Sequence, residues 1–222
     1  MMKLRSVFLI MSCVLSAMLT SASALGSGTS ARGNFIFKNG ERLDSVRFEM
    51  PDDIDRQVKV TVDGKKQKFD SDSIDCIILW HEKHPENKYV FKYFYEEIVD
   101  IETGELIEVS TKPVWLCCDE FGDNASYWYD IGRPDFKKGK KMRFNYNSSS
   151  SHKSLRYVLK KGSEYPCYVP DTTDNKKKWA AVYFKDDSEV IRKLEAGEYD
   201  FKDWGYKGLD VPKIVIDYNP IK

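Results

Sequence analysis

The sequence predicts a mainly β protein, an antiparallel sandwich, barrel or meander, that ends in a short helical segment. Three observations carry this. Ten or more short runs rich in β-branched and aromatic residues follow one another, spaced by Gly, Asn, Asp and Pro, as in all-β folds. Aromatic residues make up 14% of the chain, with 13 tyrosines, and such side chains suit a pleated, half-buried surface. After Pro170 the apolar spacing changes from alternation to steps of three and four, which is the helical period.

The densest apolar run beyond the N-terminus is residues 74–80, I-D-C-I-I-L-W. Alternation puts Ile74, Cys76, Ile78 and Trp80 on one face and Asp75, Ile77, Leu79 and His81 on the other. Both faces are mostly apolar, which places this strand near the middle of a sheet. His84-Pro85-Glu86-Asn87 then turns the chain into a second strand over 89–95.

Before this pair, residues 34–38 alternate around Phe35 and Phe37, and Asn39-Gly40 signals a hairpin whose return strand lies in 43–50. Residues 58–62 and 65–69 flank Asp63-Gly64, another hairpin signal. Their valines alternate with polar residues, so one face is wet. After the central pair, Thr103-Gly104 joins 99–101 to 106–109. Strands follow over 114–119, 126–131, 142–146, 155–160 and 165–169.

Past Pro170, Trp179, Val182 and Tyr183 form one helical stripe, and Val190, Ile191 and Leu194 form another. Asp186 and Glu189 suit a capping box, and Gly197 suits a helix end. Residues 214–218 read either as a strand, from their β-branched content, or as a short helix opened by Asp210 and Pro212. These stripes, with Tyr199, Phe201, Trp204 and Tyr206, need an apolar surface. The side of the central strand bearing Ile77 and Leu79 is the expected one.

The phrases Tyr183-Phe184-Lys185-Asp186, Val190 to Leu194, Gly197-Glu198-Tyr199, Ile214-Val215 and Tyr218-Asn219 resemble the C-terminal segment of secreted Bacteroidetes proteins of unknown function. Asp72 to Trp80, followed by Tyr89-Val90-Phe91, resembles their N-terminal strands. The resemblance implies a β-rich fold with a helical tail and an exported location. It implies no chemistry.

Residues 1–24 read as a signal peptide: Lys3 and Arg5, an uncharged apolar run over 6–19, then Ala22-Ser23-Ala24. The run is shorter than the roughly 20 residues of a membrane span. Ile10-Met11-Ser12-Cys13 loosely fits a lipid-attachment box, but the apolar core continues past Cys13, so lipid anchoring is the lesser reading. Residues 25–33 form a flexible leader, 34–170 the β-rich region, and 171–222 a helical segment on the same core. Cleavage removes two lysine or arginine charges, leaving 33 basic residues against 35 acidic ones. That balance argues against a nucleic-acid partner, and no second apolar stretch is long enough to span a membrane.

Cys76, Cys117, Cys118 and Cys167 remain after cleavage. Adjacent cysteines on a strand face opposite sides, so Cys118, on the face of Val114 and Leu116, is the expected disulfide partner of Cys76. Burial of all four as small apolar residues is the alternative.

No catalytic constellation stands out. His81 and His84 are three apart beside a proline, not four apart on a helix as a zinc protease motif requires. Cys117 and Cys118 are read as packing residues. Asp70, Asp72 and Asp75, and Asp119 to Asn124, are read as acidic turns, with no metal or other cofactor called for. The most suggestive binding group is Tyr127-Trp128-Tyr129 with Arg133, since flat rings beside a guanidinium suit a sugar. Packing inside a β-layer is the competing role. The expectation is an exported, non-catalytic binding or cell-envelope interaction protein, with a glycan or an envelope protein as partner. A carbohydrate-binding module, or a glycan hydrolase using carboxylates such as Asp119, Glu120 and Asp130, is the alternative.

Overall fold

The computed structural model describes residues 31–136, 141–145, 155–201 and 210–219. The expected signal peptide, Cys13, most of the leader, His152, Trp204 and Tyr206 lie outside the described residues. Among the described residues the chain is mostly β, with three short α-helices following the strands.

The strands are β1 (Ala31–Phe37), β2 (Arg42–Phe48), β3 (Gln57–Val62), β4 (Lys65–Asp70), β5 (Ile74–His81), β6 (His84–Phe94) and β7 (Glu97–Val99). There follow β8 (Leu106–Val109), β9 (Val114–Phe121), β10 (Ala125–Asp130), β11 (Arg133–Asp135), β12 (Arg143–Asn145), β13 (Arg156–Lys160) and β14 (Cys167–Tyr168). The helices are α1 (Thr173–Tyr183), α2 (Ser188–Glu195) and α3 (Val211–Asp217). Twelve strands make one sheet in the order β4-β3-β2-β1-β5-β6-β9-β10-β13-β14-β7-β8, and β11 with β12 forms a separate ribbon. Neighbouring strands run antiparallel except β14 and β7, which meet in parallel at a single pair, Cys167 opposite Glu97.

Local chemistry explains the hairpins. Asp63 and Gly64 both take positive φ, 49° and 76°, the geometry that twists a two-residue turn to match its strands. At the central hairpin the turn is Glu82-Lys83, two residues before the expected one, with His81 opposite His84. Arg32 of β1 and Arg47 of β2 both hydrogen-bond Glu82 Oε1 (3.1 and 2.7 Å), and His81 Nδ1 accepts the Lys83 N–H. Pro85, taken as a turn residue, therefore sits inside β6. The β5–β6 register passes from Trp80–Lys88 to His81–His84, so Pro85 lies in an irregularity without a β5 partner, where a missing ladder N–H is tolerated.

The leader is shorter than expected, because Ala31 to Gly33 already pair with Leu79 to His81 of β5. Gly33 has a packing reason: a Cβ there would lie 2.9 Å from Phe48 Cε1. The faces of β5 also differ from strict alternation. The β1–β5 register slips between Ile36–Cys76 and Phe37–Ile74, leaving Asp75 as an extra residue, which is a bulge. Ile74 thereby joins Ile77 and Leu79 on the buried side.

A row of directly opposed residues, Phe35–Ile77–Phe91–Cys117, crosses four strands, and each is fully buried. It forms the spine of the first core, with Phe48, Val58, Val60 and Trp115. Ile131, Phe136 and Met142, from the segment after β10, also pack there, so the Ile77–Leu79 face is not where the helices dock.

The helices pack instead on Ala125 and Tyr127 of β10, Val158 of β13, and Cys167 and Val169 around β14. Trp179, Phe184, Val190, Val211, Ile214 and Val215 are fully or almost fully buried there. Residues 211–217 are helical, with Pro212 in the first turn. The cap of α2 is Asp187, not Asp186: its Oδ1 accepts from the N–H groups of Glu189 and Val190. Asp186 instead takes Lys160 Nζ at 2.8 Å and the Tyr218 hydroxyl at 2.5 Å. Gly197, at φ 70°, ends α2 as expected. On the opposite side of the sheet a third cluster gathers Leu116, Trp128 and Tyr157.

Candidate functional site

The Tyr127-Trp128-Tyr129 group is not a platform. The β9–β10 register shifts between Tyr127 and Trp128, and the three rings go to three different clusters. Tyr127 (4% exposed) joins the helix-side core, Trp128 (2%) joins Leu116 and Tyr157, and half-buried Tyr129 packs edge-on to Phe144 at 4.9 Å. Trp128 Nε1 donates to Ser126 Oγ at 2.7 Å, so even its polar edge is engaged. Arg133 is exposed on β11, 3.4 Å from Asp52. The structure therefore separates the four residues. Alternation correctly put neighbours on opposite faces, but it carries no information about what covers each face.

The cysteine pair is also separated. Cys76 lies on β5 and Cys118 on β9, with β6 between them. Two strand spacings amount to about 9–10 Å, beyond the roughly 7 Å Cα limit of a disulfide. All four described thiols are unpaired. Burial pushes Cys117 and Cys167 each up to about 12, so they are protonated and inert toward nucleophilic chemistry.

His81 and His84 are structural. The His81 ring meets Phe136 edge-on at 5.2 Å, and His84 Nδ1 lies 3.2 Å from Glu86 Oε1. Among the described residues no group of three or more His, Cys, Asp or Glu is arranged to hold a metal. No described helix is long and apolar enough to cross a membrane.

One polar group inside the sheet escaped the sequence reading. Tyr157, fully buried, is flanked by Glu96 and Asp130. Burial raises the Glu96 pKa, opposed by the Tyr157 hydroxyl. Nothing in the local sequence marks Glu96, because the strands that bring Tyr157 to it are distant in the chain. Asp119 is exposed on β9, with its pKa raised by partial desolvation and by Glu120.

The feature that does face water is the pair of sheet edges. At one end β8 presents Leu106 (57% exposed) and Ile107 (61%), beside Ile98 of β7. The β7–β8 register slips between Ile98–Glu108 and Val99–Leu106, so Ile107 is the extra residue of a bulge. The outer side of β8 has no neighbouring strand among the described residues. At the other end β4 carries Lys65, Lys66 and Lys68, all exposed. Lysines on an edge are a common protection against unwanted strand pairing, and consecutive lysines were a legible sign of it. The β8 edge has no lysine within the strand.

The β7–β8 hairpin is held from the helix side. Gly104, at φ 76°, lies so close to α1 that a Cβ there would sit 2.3 Å from Val182 Cγ1. Lys178 of α1 pairs with Glu102 in the same turn. An exposed apolar strand held at a fixed angle by its support can receive another strand, since the backbone supplies affinity and the side chains supply selectivity.

No family model, curated protein or solved structure matches this chain.

Proposed function

We propose that the protein is an exported, non-catalytic binding protein of the cell envelope that takes a strand of a protein partner onto its β8 edge. The observation that carries this reading is Leu106 and Ile107 standing more than half exposed on a terminal strand whose outer side has no neighbour among the described residues. Two isoleucines and a leucine in water are costly to solubility and are retained where a partner covers them. Export is supported by the charged, apolar and small-residue series from Lys3 to Ala24. The non-catalytic reading is supported by the packing of His81 against Phe136, the pairing of His84 with Glu86, and the burial of Cys117 and Cys167.

A photo-crosslinking residue placed at position 107 tests the reading in intact cells. Adduct formation with an envelope protein is expected. The same residue at position 54, where Ile54 is 70% exposed in a turn far along the chain, should give none. Equal labelling at both positions would remove the interface from β8. N-terminal sequencing of the recovered protein that still found Met1 would remove the export part.

Glycan binding is the second reading, favoured by the Phe121 ring, 60% exposed and 6.1 Å from Trp128. It expects Phe121→Ala, and not Ile107→Lys, to abolish retention on a glycan column.

A further inference from the structure

We propose that the partner strand for β8 is β4 of a second copy, so that the sheet continues from molecule to molecule, head to tail. The inference rests on the reading of β8 as a binding edge and goes further by naming the occupant.

Charge is the first argument. Lys65, Lys66 and Lys68 lie on one terminal strand, and Glu105 and Glu108 lie on or beside the other, all exposed. Lys65, Lys68, Glu105 and Glu108 have no ion-pair partner among the described residues, and Lys66 has only Glu49 at 3.9 Å. Pairing β4 with β4 would gather lysines, and pairing β8 with β8 would gather glutamates. Like charges opposed across strands destabilise a pair and opposite charges stabilise it. Of the three edge combinations, only the mixed one satisfies both.

Fit is the second argument. The four residues of β8 are shorter than the six of β4, so β4 is long enough to span β8 with its bulge at Ile107. The antiparallel register that sets Glu108 opposite Lys68 also sets Ile107 opposite Phe69. Phe69 is half-buried against Phe37, 5.0 Å between ring centres, and would extend the covered apolar surface to Ile107. The edge lysines then have a second meaning. They turn away a neutral or basic strand and admit one that carries glutamates.

An interface between two different edges is heterologous, so it does not stop at two copies unless the rotation closes a ring. The test is sedimentation of the purified protein over a range of concentrations at low and raised salt. Species larger than a dimer are expected, growing with concentration and shrinking as salt screens the pairs. Lys68→Glu and Glu108→Lys should each weaken association about tenfold, and the double variant should recover it. Both substitutions are at exposed sites, and thermal melts would verify folding.

A monomer at every concentration and salt would overturn the proposal. So would a species that stops at two, is lost in Ile107→Lys and is unchanged in Lys68→Glu, because that is a symmetric β8 pair. A crosslink from position 107 to a different protein, with the purified chain monomeric, would sink the second-copy inference and leave the edge reading standing. Labelling at position 107 no stronger than at 54 would sink both.

Discussion

Asp187 and Asn219, 32 residues apart, meet through one carboxylate: Oδ1 of Asp187 caps α2, and Oδ2 accepts the backbone N–H of Asn219 at 2.6 Å. Asp187 is itself buried, whereas Asn219 is exposed and its contact is only partly shielded. Loss of a helix cap costs about 0.5–2 kcal/mol, and loss of a partly shielded hydrogen bond to a charged group about 0.5–1.5 kcal/mol. Asp187→Ala should therefore destabilise the fold by about 1–3 kcal/mol in denaturant melts. Hydrogen exchange should also rise in α3 as well as in α2. Exchange confined to α2 would show that the Asn219 contact contributes nothing.

Two glycines should resist substitution for different reasons. At Gly122 a Cβ would meet the Val215 carbonyl oxygen of α3 at 2.4 Å. That atom belongs to backbone, so Gly122→Ala must push α3 away, at the roughly 1–3 kcal/mol typical of overpacking. At Gly104 the obstacle is a side chain, Val182, together with the positive φ. Gly104→Ala combined with Val182→Ala should recover the steric part and leave the roughly 1–2 kcal/mol backbone part. A double-mutant cycle separates the two, and strict additivity would contradict the contact.

Stability should fall as pH rises through the weakly acidic range. Burial raises the carboxyl pKa of Glu96, Glu97 and Asp119 in the fold. The native state thus holds protons that the unfolded chain has released above about pH 4, and stability declines from there toward neutrality. Asp186 and Asp217 act in the opposite sense. Burial alone would raise them, but hydrogen bonds from Lys160 and Tyr218, and from Lys193 and Tyr199, outweigh it and lower both. Their contribution is lost only as pH drops below about 4. Glu96→Gln should raise the melting temperature at pH 7 and leave it unchanged at pH 4. An equal effect at both values would exclude ionisation as the cause.

Truncation after Pro170 should unfold the chain. The lost segment carries ten of the residues buried in the helix-side core, among them Trp179, Phe184, Val190, Val211, Ile214 and Val215. It would also strip Tyr127 and Val158 of the sheet. At about 1.5–3 kcal/mol for each large side chain, the loss exceeds the 5–15 kcal/mol typical of a domain. A truncated protein that melts cooperatively near the full-length temperature would contradict this.

The described thiols should react slowly with alkylating reagents at pH 8 and quickly after denaturation. Cys117 and Cys167 are fully buried, and Trp179 Nε1 donates to the Cys167 sulfur at 3.3 Å. Fast labelling of either in the native state would mean that the sheet opens locally.

What the sequence made legible is what local chemistry decides. Asp63-Gly64 and Gly197 were readable because only particular residues tolerate those backbone angles, and the valine alternation of β3 was readable because its period is two. The bulges at Asp75 and before Trp128 were not, since a slip of register depends on the neighbouring strand. For the same reason Ile74 changed sides, whereas the Tyr127-Trp128-Tyr129 group, whose own alternation holds, came apart because different elements cover Tyr127 and Tyr129. The docking face of the helices was misplaced because Ile77 and Leu79 looked available until Phe136 and Met142, more than fifty residues away, were seen to cover the same core. Leu106 and Ile107 were read correctly as strand, but which strand ends a sheet is a property of the whole topology.

The single parallel pair between Cys167 and Glu97 has a consequence for how this surface can evolve. Most of what joins residues 97–109 to the rest of the protein is that one pair, the turn against Val182, and the inward side chains Val99 and Ile101. Without the hairpin the sheet would end at β14, two residues long and too short to template another strand. On the proposed reading, adhesiveness at this end of the molecule would be carried by an interchangeable cassette, whose outward residues could change the choice of companion while Val99 and Ile101 keep their place in the helix-side core.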